Sequence, residues 1–363
     1  MSNRTSSWHP LQDEAGRAAT FLHAQADGGK LSHFETSIHC VSQEAKTVHP
    51  DGSFGSRGAR FLLESQNPDG GWGFQAALSS ATEPTAWAVT ALGAFDGQPQ
   101  CRRARESGLA WLANCQRQDG SWPARPGQRN GCWVTSIACL AMAPQSDTVT
   151  IQHREELRKG LQWLSNDWPG EGSLWWRLTR MGEPKPESRR SRALRGWGWT
   201  PGTSSWIEPT AQALLALQAA PGELYPRGAQ KRIQAAQALL LDRALTAGGW
   251  NSGGSDSYGY AGRPQPVPTA WALMALREQG HCPEVAAGLE GLRQIHSRFT
   301  GLFSLSLSCL CLKFWGIPYE FSRLEHVFLN GITPVSVMET AWALLAMSPP
   351  QESPLGQWRR SKS

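Results

Sequence analysis

The sequence predicts an all-α protein built from two layers of helices. Two observations lead to this prediction: one helix start recurs along the chain, and amphipathic segments lie between its copies. Each copy places a threonine before about three turns of small and apolar residues, as in TEPTAWAVTAL and WIEPTAQALLAL. The threonines are Thr36, Thr85, Thr135, Thr210, Thr269 and Thr340. Repetition of this kind indicates one structural unit used several times.

The segments that follow the threonines are apolar on nearly every side, as in Ala86–Leu92 and Ala341–Met347. A helix of this composition is buried, so we expect six such helices to form an inner layer. Glu-Pro precedes the threonine in two copies, at Glu83 and Glu208. Proline at the first helical position loses only an amide hydrogen that had no partner, so this dipeptide indicates a helix start.

Helices that also carry charge lie between the copies, and we expect them to form an outer layer. They are Glu14–Gln25, Arg57–Gln66, Arg105–Gln116, Arg154–Ser165, Gln230–Arg243 and Val285–Arg298. Two of them end in a longer repeated motif, RGARFLLESQNPDGGW and ESGLAWLANCQRQDGSW. In the first motif Gln66 can bond the backbone, Gly70 allows a tight turn and Trp72 can pack back on the structure. We interpret this motif as a packing device.

The pattern of a basic residue, a small residue, an aromatic, an aliphatic, then Gln and Gly-x-Trp resembles the QW motif of squalene-hopene and oxidosqualene cyclases. The TAWALLAL segments resemble the inner helices of those cyclases and of protein prenyltransferase β subunits. The resemblance covers about residues 12–347. It implies a single (α/α)6 toroid, in which six parallel inner helices line a central cavity and six outer helices surround them. One domain would then span residues 1–363, with a flexible tail at 348–363.

Two inserted loops are expected, at about 168–200 and 298–337. The first contains proline, glycine and a basic run, and is predicted to be a loop or lid. The second contains LFSLSLSCLCLKFWGIPYEF. This stretch is either a buried extra helix or strand, or a patch that touches a bilayer or admits an apolar substrate.

Amino-acid composition indicates the cellular compartment and the classes of binding partner. Eight cysteines without a CxxC pair favour reduced thiols and a cytoplasmic protein, and the N-terminus has no apolar run typical of a signal peptide. A net charge of +5 without a basic, aromatic-rich stripe gives no indication of nucleic-acid binding. Peripheral membrane contact stays open. So does a partner subunit, because a single toroid resembles the prenyltransferase β subunit, which works with an α partner.

Four glutamates precede the repeated threonine: Glu35, Glu83, Glu208 and Glu339. Parallel inner helices would place their positive N-terminal ends around one mouth, which favours negative charge there. The glutamates serve either as helix-terminus carboxylates or, in one case, as a catalytic acid. Glu208 is our first candidate and Glu83 the second. Glu208 resembles the position of the Asp-x-Asp-Asp acid of cyclases that protonate an alkene, although SWIEPTA stands here and no Asp-x-Asp-Asp occurs.

Aromatic residues are the candidate substrate-binding groups. Trp133, Trp197, Trp199 and Trp206 should lie near the mouth, whereas Trp87 faces the cavity or packs between the layers. Asp256, Tyr258 and Tyr260 lie on the loop that enters the fifth repeat, at the same mouth. Such aromatic walls stabilise carbocations and equally bind any apolar ligand.

No cofactor or metal is expected. Ionising a diphosphate through magnesium needs clustered carboxylates, and the chain has no DDxxD-like run. The sequence therefore favours a terpene or isoprenoid cyclase-like protein that binds an apolar small molecule in a Trp-lined cavity and protonates it through Glu208. A non-catalytic toroid that binds a lipid, peptide or partner protein is one alternative. A hydrolase or transferase outside terpene chemistry, using the mouth carboxylates, is another.

Overall fold

A computed structural model of the protein describes residues 54–143, 152–169, 194–253, 256–257, 260–296, 301–319, 321–330 and 336–348. All of these residues belong to one compact unit, residues 47–363. Twelve α-helices lie within them, and the predicted all-α class is confirmed. The helices are α1 Phe54–Glu64, α2 Thr82–Leu92, α3 Pro99–Cys115, α4 Val134–Met142, α5 Arg154–Asn166, α6 Ile207–Gln218, α7 Ala229–Asp242, α8 Pro266–Ala275, α9 Pro283–His296, α10 Leu302–Trp315, α11 Phe321–Asn330 and α12 Val337–Met347.

Short elements complete the described chain. Single 3-10 turns follow α2, α6 and α8, at Gly93–Phe95, Gly222–Leu224 and Arg277–Gln279. Two antiparallel strands of two residues each, β1 Asp256–Ser257 and β2 Tyr260–Ala261, precede α8. The predicted helix copy at Thr36, the outer helix Glu14–Gln25 and the tail from residue 349 lie outside the described residues, as does most of the predicted loop at 168–200.

The even-numbered helices contact one another in a closed cycle. Helix α2 packs on α4, α4 on α6, α6 on α8, α8 on α10, α10 on α12, and α12 returns to α2. Nearly every residue of α2, α4, α6 and α8 is buried. This cyclic order is the one expected for the inner layer of an α/α toroid.

The odd-numbered helices pack against this ring in chain order. Helix α1 contacts α12, α3 contacts α2, α5 contacts α4, α7 contacts α6, α9 contacts α8, and α11 contacts α10. Outer and inner helices therefore alternate along the chain. The five outer helices predicted within the described residues are confirmed as α1, α3, α5, α7 and α9.

The sixth inner position is filled by α10, which carries no copy of the threonine motif. The segment at 298–337 therefore supplies an inner helix and an outer helix, α10 and α11, and the interpretation of this segment as an inserted loop does not describe it. Residues 305–314 are buried, so the surface patch considered for this stretch is also wrong, and the alternative of a buried helix is right. Ser308 Oγ donates to the Ser304 carbonyl at 2.7 Å, which shows how a serine-rich helix satisfies a hydroxyl without water.

The repeated threonine and tryptophan form one hydrogen-bonded device. The backbone N–H of Trp72 donates to Thr85 Oγ1 at 2.9 Å, and its indole N–H donates to the Leu62 carbonyl at the end of α1 at 2.7 Å. The same threonine bond recurs at 2.9 Å in three further repeats, in the pairs Trp122–Thr135, Trp197–Thr210 and Trp250–Thr269. Each copy ties the end of one outer helix to the start of the next inner helix.

The repeated glutamine links neighbouring outer helices. Gln66 Nε2 donates to the carbonyls of Gly70 at 2.8 Å and of Ala104 in α3 at 2.9 Å. Gly70 has a φ of +90°, and a Cβ there would stand 2.9 Å from the Ser107 carbonyl oxygen. Both the backbone angle and the space therefore require glycine at this turn.

The loops before the inner helices bond to one another around one end of the ring. Thr82 N–H donates to the Ala124 carbonyl at 3.1 Å, and Ile207 N–H donates to the Ser252 carbonyl at 3.4 Å. Two further bonds of this kind join Trp133 to Trp199 at 3.3 Å and Val337 to Phe74 at 3.0 Å. The inner helices α2, α4, α6, α8 and α12 therefore begin at one end, which we call the mouth.

The opposite end is fastened by buried side chains. Lys313 Nζ, near the end of α10, donates to the carbonyls of Leu345 at 3.0 Å and Ala346 at 3.3 Å, and also to that of Ser348. The Tyr319 hydroxyl donates to the same Ala346 carbonyl at 3.1 Å. A cation at the last carbonyls of a helix stabilises the negative end of its dipole. The ring is thus held at both ends by polar bonds between neighbouring helices.

Candidate functional site

Three tryptophans meet in the middle of the ring. Trp87 in α2, Trp271 in α8 and Trp342 in α12 each stand two residues after the repeated threonine. Their ring centroids are 4.1 Å apart for Trp87 and Trp342, 5.5 Å for Trp271 and Trp342, and 5.8 Å for Trp87 and Trp271. Helices α2 and α8 lie on opposite sides of the contact cycle, yet Trp87 and Trp271 are close together. Side chains two residues after the threonine therefore face the ring centre.

The three indoles, which we call the central cluster, are at most 2% exposed. Trp87 was expected either to face a cavity or to pack between layers, and the structure places it in this packed cluster. At the level of the cluster, indole side chains occupy the centre between α2, α8 and α12. A ligand that enters from the mouth would therefore meet the cluster as a floor on that side of the ring.

Glu83 lies one helical turn closer to the mouth than Trp87. Its carboxyl group is half-buried, and loss of water raises its pKa to about 7 from an ordinary value of 4.5. The Trp87 indole lies close enough to the Glu83 carboxyl to oppose this rise in pKa, because its N–H stabilises the charged form. Glu83 is therefore a carboxylic acid that exchanges its proton near neutral pH.

Glu208 occupies the same register in α6 and is 7% exposed. Its Oε1 accepts a hydrogen bond of 2.6 Å from Ser252 Oγ, which lies on the loop before α8. Its Oε2 is buried and has no hydrogen-bond partner among the described residues. One turn deeper, Gln212 is 5% exposed, and its Oε1 is also buried without a partner.

Trp133 lies between the two glutamates around the mouth. It precedes α4, at the register position that Glu83 holds in α2 and Glu208 holds in α6. Its half-buried indole contacts that of Trp199 edge to face, with centroids 5.0 Å apart. The buried Cys132 thiol lies close enough to Glu83 for the carboxylate charge to raise the pKa of the thiol, although loss of water is the larger cause. Glu83, Trp133 and Glu208 thus form an acid, an indole and an acid on three successive inner helices.

Two other predicted tryptophans take different places. Trp197 is 3% exposed, its indole N–H donates to the Leu164 carbonyl of α5 at 3.1 Å, and the Arg232 guanidinium of α7 stacks 3.6 Å from its ring. Its side chain therefore packs between outer helices. Trp206 is 37% exposed, and its backbone pairs with that of Trp197. Trp206 is on the surface of the mouth loop.

The remaining candidates are only partly described. Glu35 and Tyr258 lie outside the described residues, and for Asp256 and Tyr260 the structure gives the backbone of the β pair alone. Glu339 stands one position nearer its threonine than Glu83 and Glu208 do, and its N–H donates to Ser336 Oγ at 3.2 Å. Ser336 is thus the cap of α12, and the Glu339 backbone belongs to that cap.

Sequence reasoning missed Ser252 and Gln212. Ser252 is a small loop residue 44 positions from Glu208, and no local pattern points to their contact. Gln212 did leave a signal, because it is the polar residue at a position where three other inner helices carry tryptophan. In the described part of the chain, no group of three or more His, Cys, Asp or Glu is placed to hold a metal ion. Within the same residues, no helix is long and apolar enough to cross a membrane.

No protein-family model matches the chain, and no curated protein matches its sequence. Solved structures with a similar fold include a protein from Actinoplanes, 17% identical over 77% of this chain and 79% of that chain, with a TM-score of 0.49. Another is the type II terpene cyclase MstE from Scytonema, 16% identical over 77% and 78%, with a TM-score of 0.49. Salmonella alpha-2-macroglobulin aligns over 81% of this chain and 17% of its own length, at 15% identity and a TM-score of 0.44. The identities are low and each TM-score is below 0.5, so these similarities assign neither a substrate nor a reaction to this chain.

Proposed function

We propose that the mouth is the active site of an isoprenoid cyclase or isomerase, in which Glu83 protonates an apolar substrate. The observation that carries this proposal is the state of Glu83, a desolvated carboxyl with a pKa of about 7 beside the Trp87 indole. General acids work best when their pKa lies near the operating pH, because the protonated form is then populated and can still release its proton. The sequence favoured Glu208, and the raised pKa supports Glu83 instead.

The Trp87 indole supports the proton transfer. Its N–H lies close to the Glu83 carboxyl, and its attraction to that group strengthens when the carboxyl becomes negative. The carboxylate left after transfer therefore keeps a donor in a region with little water. Glu208, with Ser252 on one oxygen and its other oxygen unpartnered, supplies the base that removes a proton at the end of the reaction. Addition of one proton and loss of another give a net rearrangement.

The aromatic side chains suit the charge that such a reaction develops. Protonation of a double bond leaves a carbocation, and the face of an indole attracts a cation. Trp133 stands between the two acids, held edge to face by Trp199. The central cluster forms the floor below Glu83. The substrate would therefore lie above the cluster, on the side of the ring formed by α4 and α6.

The test is incubation of the full-length protein with linear isoprenoids and their diphosphates, followed by mass spectrometry of the products. We expect Glu83→Gln to lower product formation by about 100-fold or more while thermal unfolding shows an intact fold. Glu339→Gln is the matched control, because that glutamate belongs to the α12 start, and it should retain wild-type turnover. Unchanged product formation by Glu83→Gln would exclude Glu83 as the acid.

A non-catalytic binding protein is the second candidate, and the packed central cluster favours it. Three indoles at centroid distances of 4.1 to 5.8 Å fill space deep in the ring that a long isoprenoid substrate would need in order to fold for cyclisation. This candidate predicts no turnover of any isoprenoid in the panel. It also predicts saturable binding of an apolar ligand that weakens in Trp133→Ala and Trp206→Ala.

A further inference from the structure

Helix α6 departs from the other inner helices at the level of the central cluster. Where α2, α8 and α12 carry tryptophan two residues after the threonine, α6 carries Gln212. Helix α6 lies opposite α12 in the contact cycle, so Gln212 faces the ring centre from the side that the cluster does not cover. Its neighbours in the same register are Ile137 of α4 and Trp271 of α8, both almost completely buried.

Two acceptor oxygens lie one turn apart on this face of α6. Glu208 and Gln212 are more than nine-tenths buried, and within the described residues neither Glu208 Oε2 nor Gln212 Oε1 has a hydrogen-bond partner. Buried polar atoms are nearly always hydrogen-bonded in folded proteins, because an unpaired one costs about 1 to 3 kcal/mol. Ser252 satisfies only the other oxygen of the carboxylate. The group that complements this pair must donate hydrogen bonds.

The neighbouring side chains favour a cation as the group that donates these hydrogen bonds. Glu208 brings a carboxylate, and Trp271 and Trp133 place indoles on the two helices that flank α6. Carboxylate and aromatic faces together are the setting in which proteins recognise ammonium groups. The second carboxyl, Glu83, lies on α2 at the same mouth, and two acids there disfavour a diphosphate.

We propose that Glu208 and Gln212 bind the ammonium head group of an amine whose apolar tail lies along the mouth. This inference rests on the proposed function in one respect: it names the ligand class for the same site and places the ammonium where positive charge would develop in the reaction. The ammonium N–H groups donate to Glu208 Oε2 and Gln212 Oε1. No bond forms or breaks, so the inference concerns binding alone.

Titration calorimetry on the full-length protein tests it with three probes that share a ten-carbon tail: geranylamine, geraniol and geranyl diphosphate. At neutral pH we expect the amine to bind about 10-fold or more tighter than the alcohol, which corresponds to one cation–π or charge-assisted contact. The diphosphate should bind weakest. Equal affinity for amine and alcohol, or tightest binding of the diphosphate, would overturn the proposal.

Variants locate the binding. Glu208→Gln keeps the shape of the side chain and should abolish the preference for amine over alcohol. Gln212→Met removes the deeper acceptor at nearly constant volume and should weaken amine binding about 5-fold. Glu339→Gln, at the start of α12, should match the wild type. An amine preference that survives both Glu208→Gln and Gln212→Met in folded protein would place the ammonium elsewhere.

The failure of this inference can be told apart from failure of the proposed function. Glu83→Gln should lose turnover while amine affinity changes less than about 3-fold, because Glu83 lies on α2. If the wild type turns over no isoprenoid and still prefers the amine, the proposed reaction is wrong and the ammonium site stands. If turnover depends on Glu83 and amine and alcohol bind equally, the ammonium site is wrong and the reaction stands.

Discussion

Helices α2 and α6 begin with the same residues, Glu-Pro-Thr-Ala, and then differ, with Trp87 in α2 and Gln212 in α6. In α2 the Trp87 indole lies close to Glu83 and completes the central cluster. In α6 the glutamate and the glutamine are both acceptors, and each has an oxygen without a hydrogen-bond partner among the described residues. The residue one turn below the glutamate thus decides whether an indole donor or a second acceptor stands beside it.

The shared helix start fixes where each glutamate lies, but it does not fix the chemistry of that glutamate. Thr85 and Thr210 accept the same backbone bond from Trp72 and Trp197, at 2.9 Å in both helices. The two glutamates are therefore held at equivalent points of the mouth. Their chemistry is then decided by the residue at the next turn and by loops such as that of Ser252.

The largest difference between the two helices should appear on truncation of the residue at the next turn. Trp87→Ala removes a fully buried indole that contacts two others, and we expect a loss of about 3 to 5 kcal/mol in the free energy of unfolding. Gln212→Met removes an unpaired acceptor at similar volume and should instead raise the free energy of unfolding by about 1 to 3 kcal/mol. Urea unfolding of both variants measures the contrast. Comparable losses would show that α6 is packed as tightly as α2.

The pH dependence of stability should single out Glu83. Folding raises its pKa from 4.5 to about 7, so its contribution is fully present below pH 4.5 and is lost as pH rises through 7. One pKa unit corresponds to about 1.4 kcal/mol, and the effect is smaller here because the Glu83 side chain is only half-buried. Between pH 5 and 8 the free energy of unfolding of the wild type should therefore fall by about 1 to 3 kcal/mol relative to that of Glu83→Gln. Thermal unfolding at both pH values checks this. Parallel pH profiles for the two proteins would contradict the raised pKa.

Ser252→Ala probes the hydrogen bond that the Glu208 carboxylate accepts from Ser252. Loss of the 2.6 Å bond should lower the free energy of unfolding by about 1 to 2 kcal/mol, because the acceptor is buried and acidic. Ser204→Ala, at an exposed serine in the loop before α6, is the comparison and should have a smaller effect. Chemical denaturation of both variants gives the result. A neutral Ser252→Ala would mean that Glu208 is positioned by α6 alone.

The smallest difference should come from the shared threonines. Thr85→Val and Thr210→Val each remove the acceptor of a buried backbone N–H, that of Trp72 and that of Trp197. Each change should lower the free energy of unfolding by about 1 to 3 kcal/mol. The two costs should agree within about 0.5 kcal/mol, because the bonded geometry is the same in both repeats. Unequal costs would show that the two helix starts are held differently, and the comparison between Glu83 and Glu208 would lose its common frame.

Much of the fold was predictable because its signals are local. The repeated threonine, the apolar segment after it and the glutamine, glycine and tryptophan of the outer-helix ends all lie within about 35 residues of one another. Helix α10 gave no such signal, since it reaches the inner ring without a threonine start. It was therefore interpreted as part of an insertion. Its ring position is set by contacts with α8 and α12, which no local pattern records.

The candidate site was predictable as a set of residues and not as an arrangement. Glu83 and Glu208 stood out by their Glu-Pro-Thr context, and Trp133 by its place before α4. Trp197 carried the same aromatic signal and packs instead against Arg232 between outer helices. The direction of an aromatic side chain depends on the residues of neighbouring helices against which it packs, and those residues are distant in sequence.

The repeating unit can be derived from local sequence: where inner helices start, which residues fasten them, and that two equivalent glutamates stand at their starts. Hydrogen bonds between a threonine and a tryptophan 13 residues apart are local, so the pattern of the chain contains them. Long-range packing, in contrast, places Trp87, Trp271 and Trp342 at the ring centre and turns Gln212 toward it. Closing six helices into a ring brings residues about 250 positions apart into contact, and burial of Glu83 and Glu208 follows from that closure.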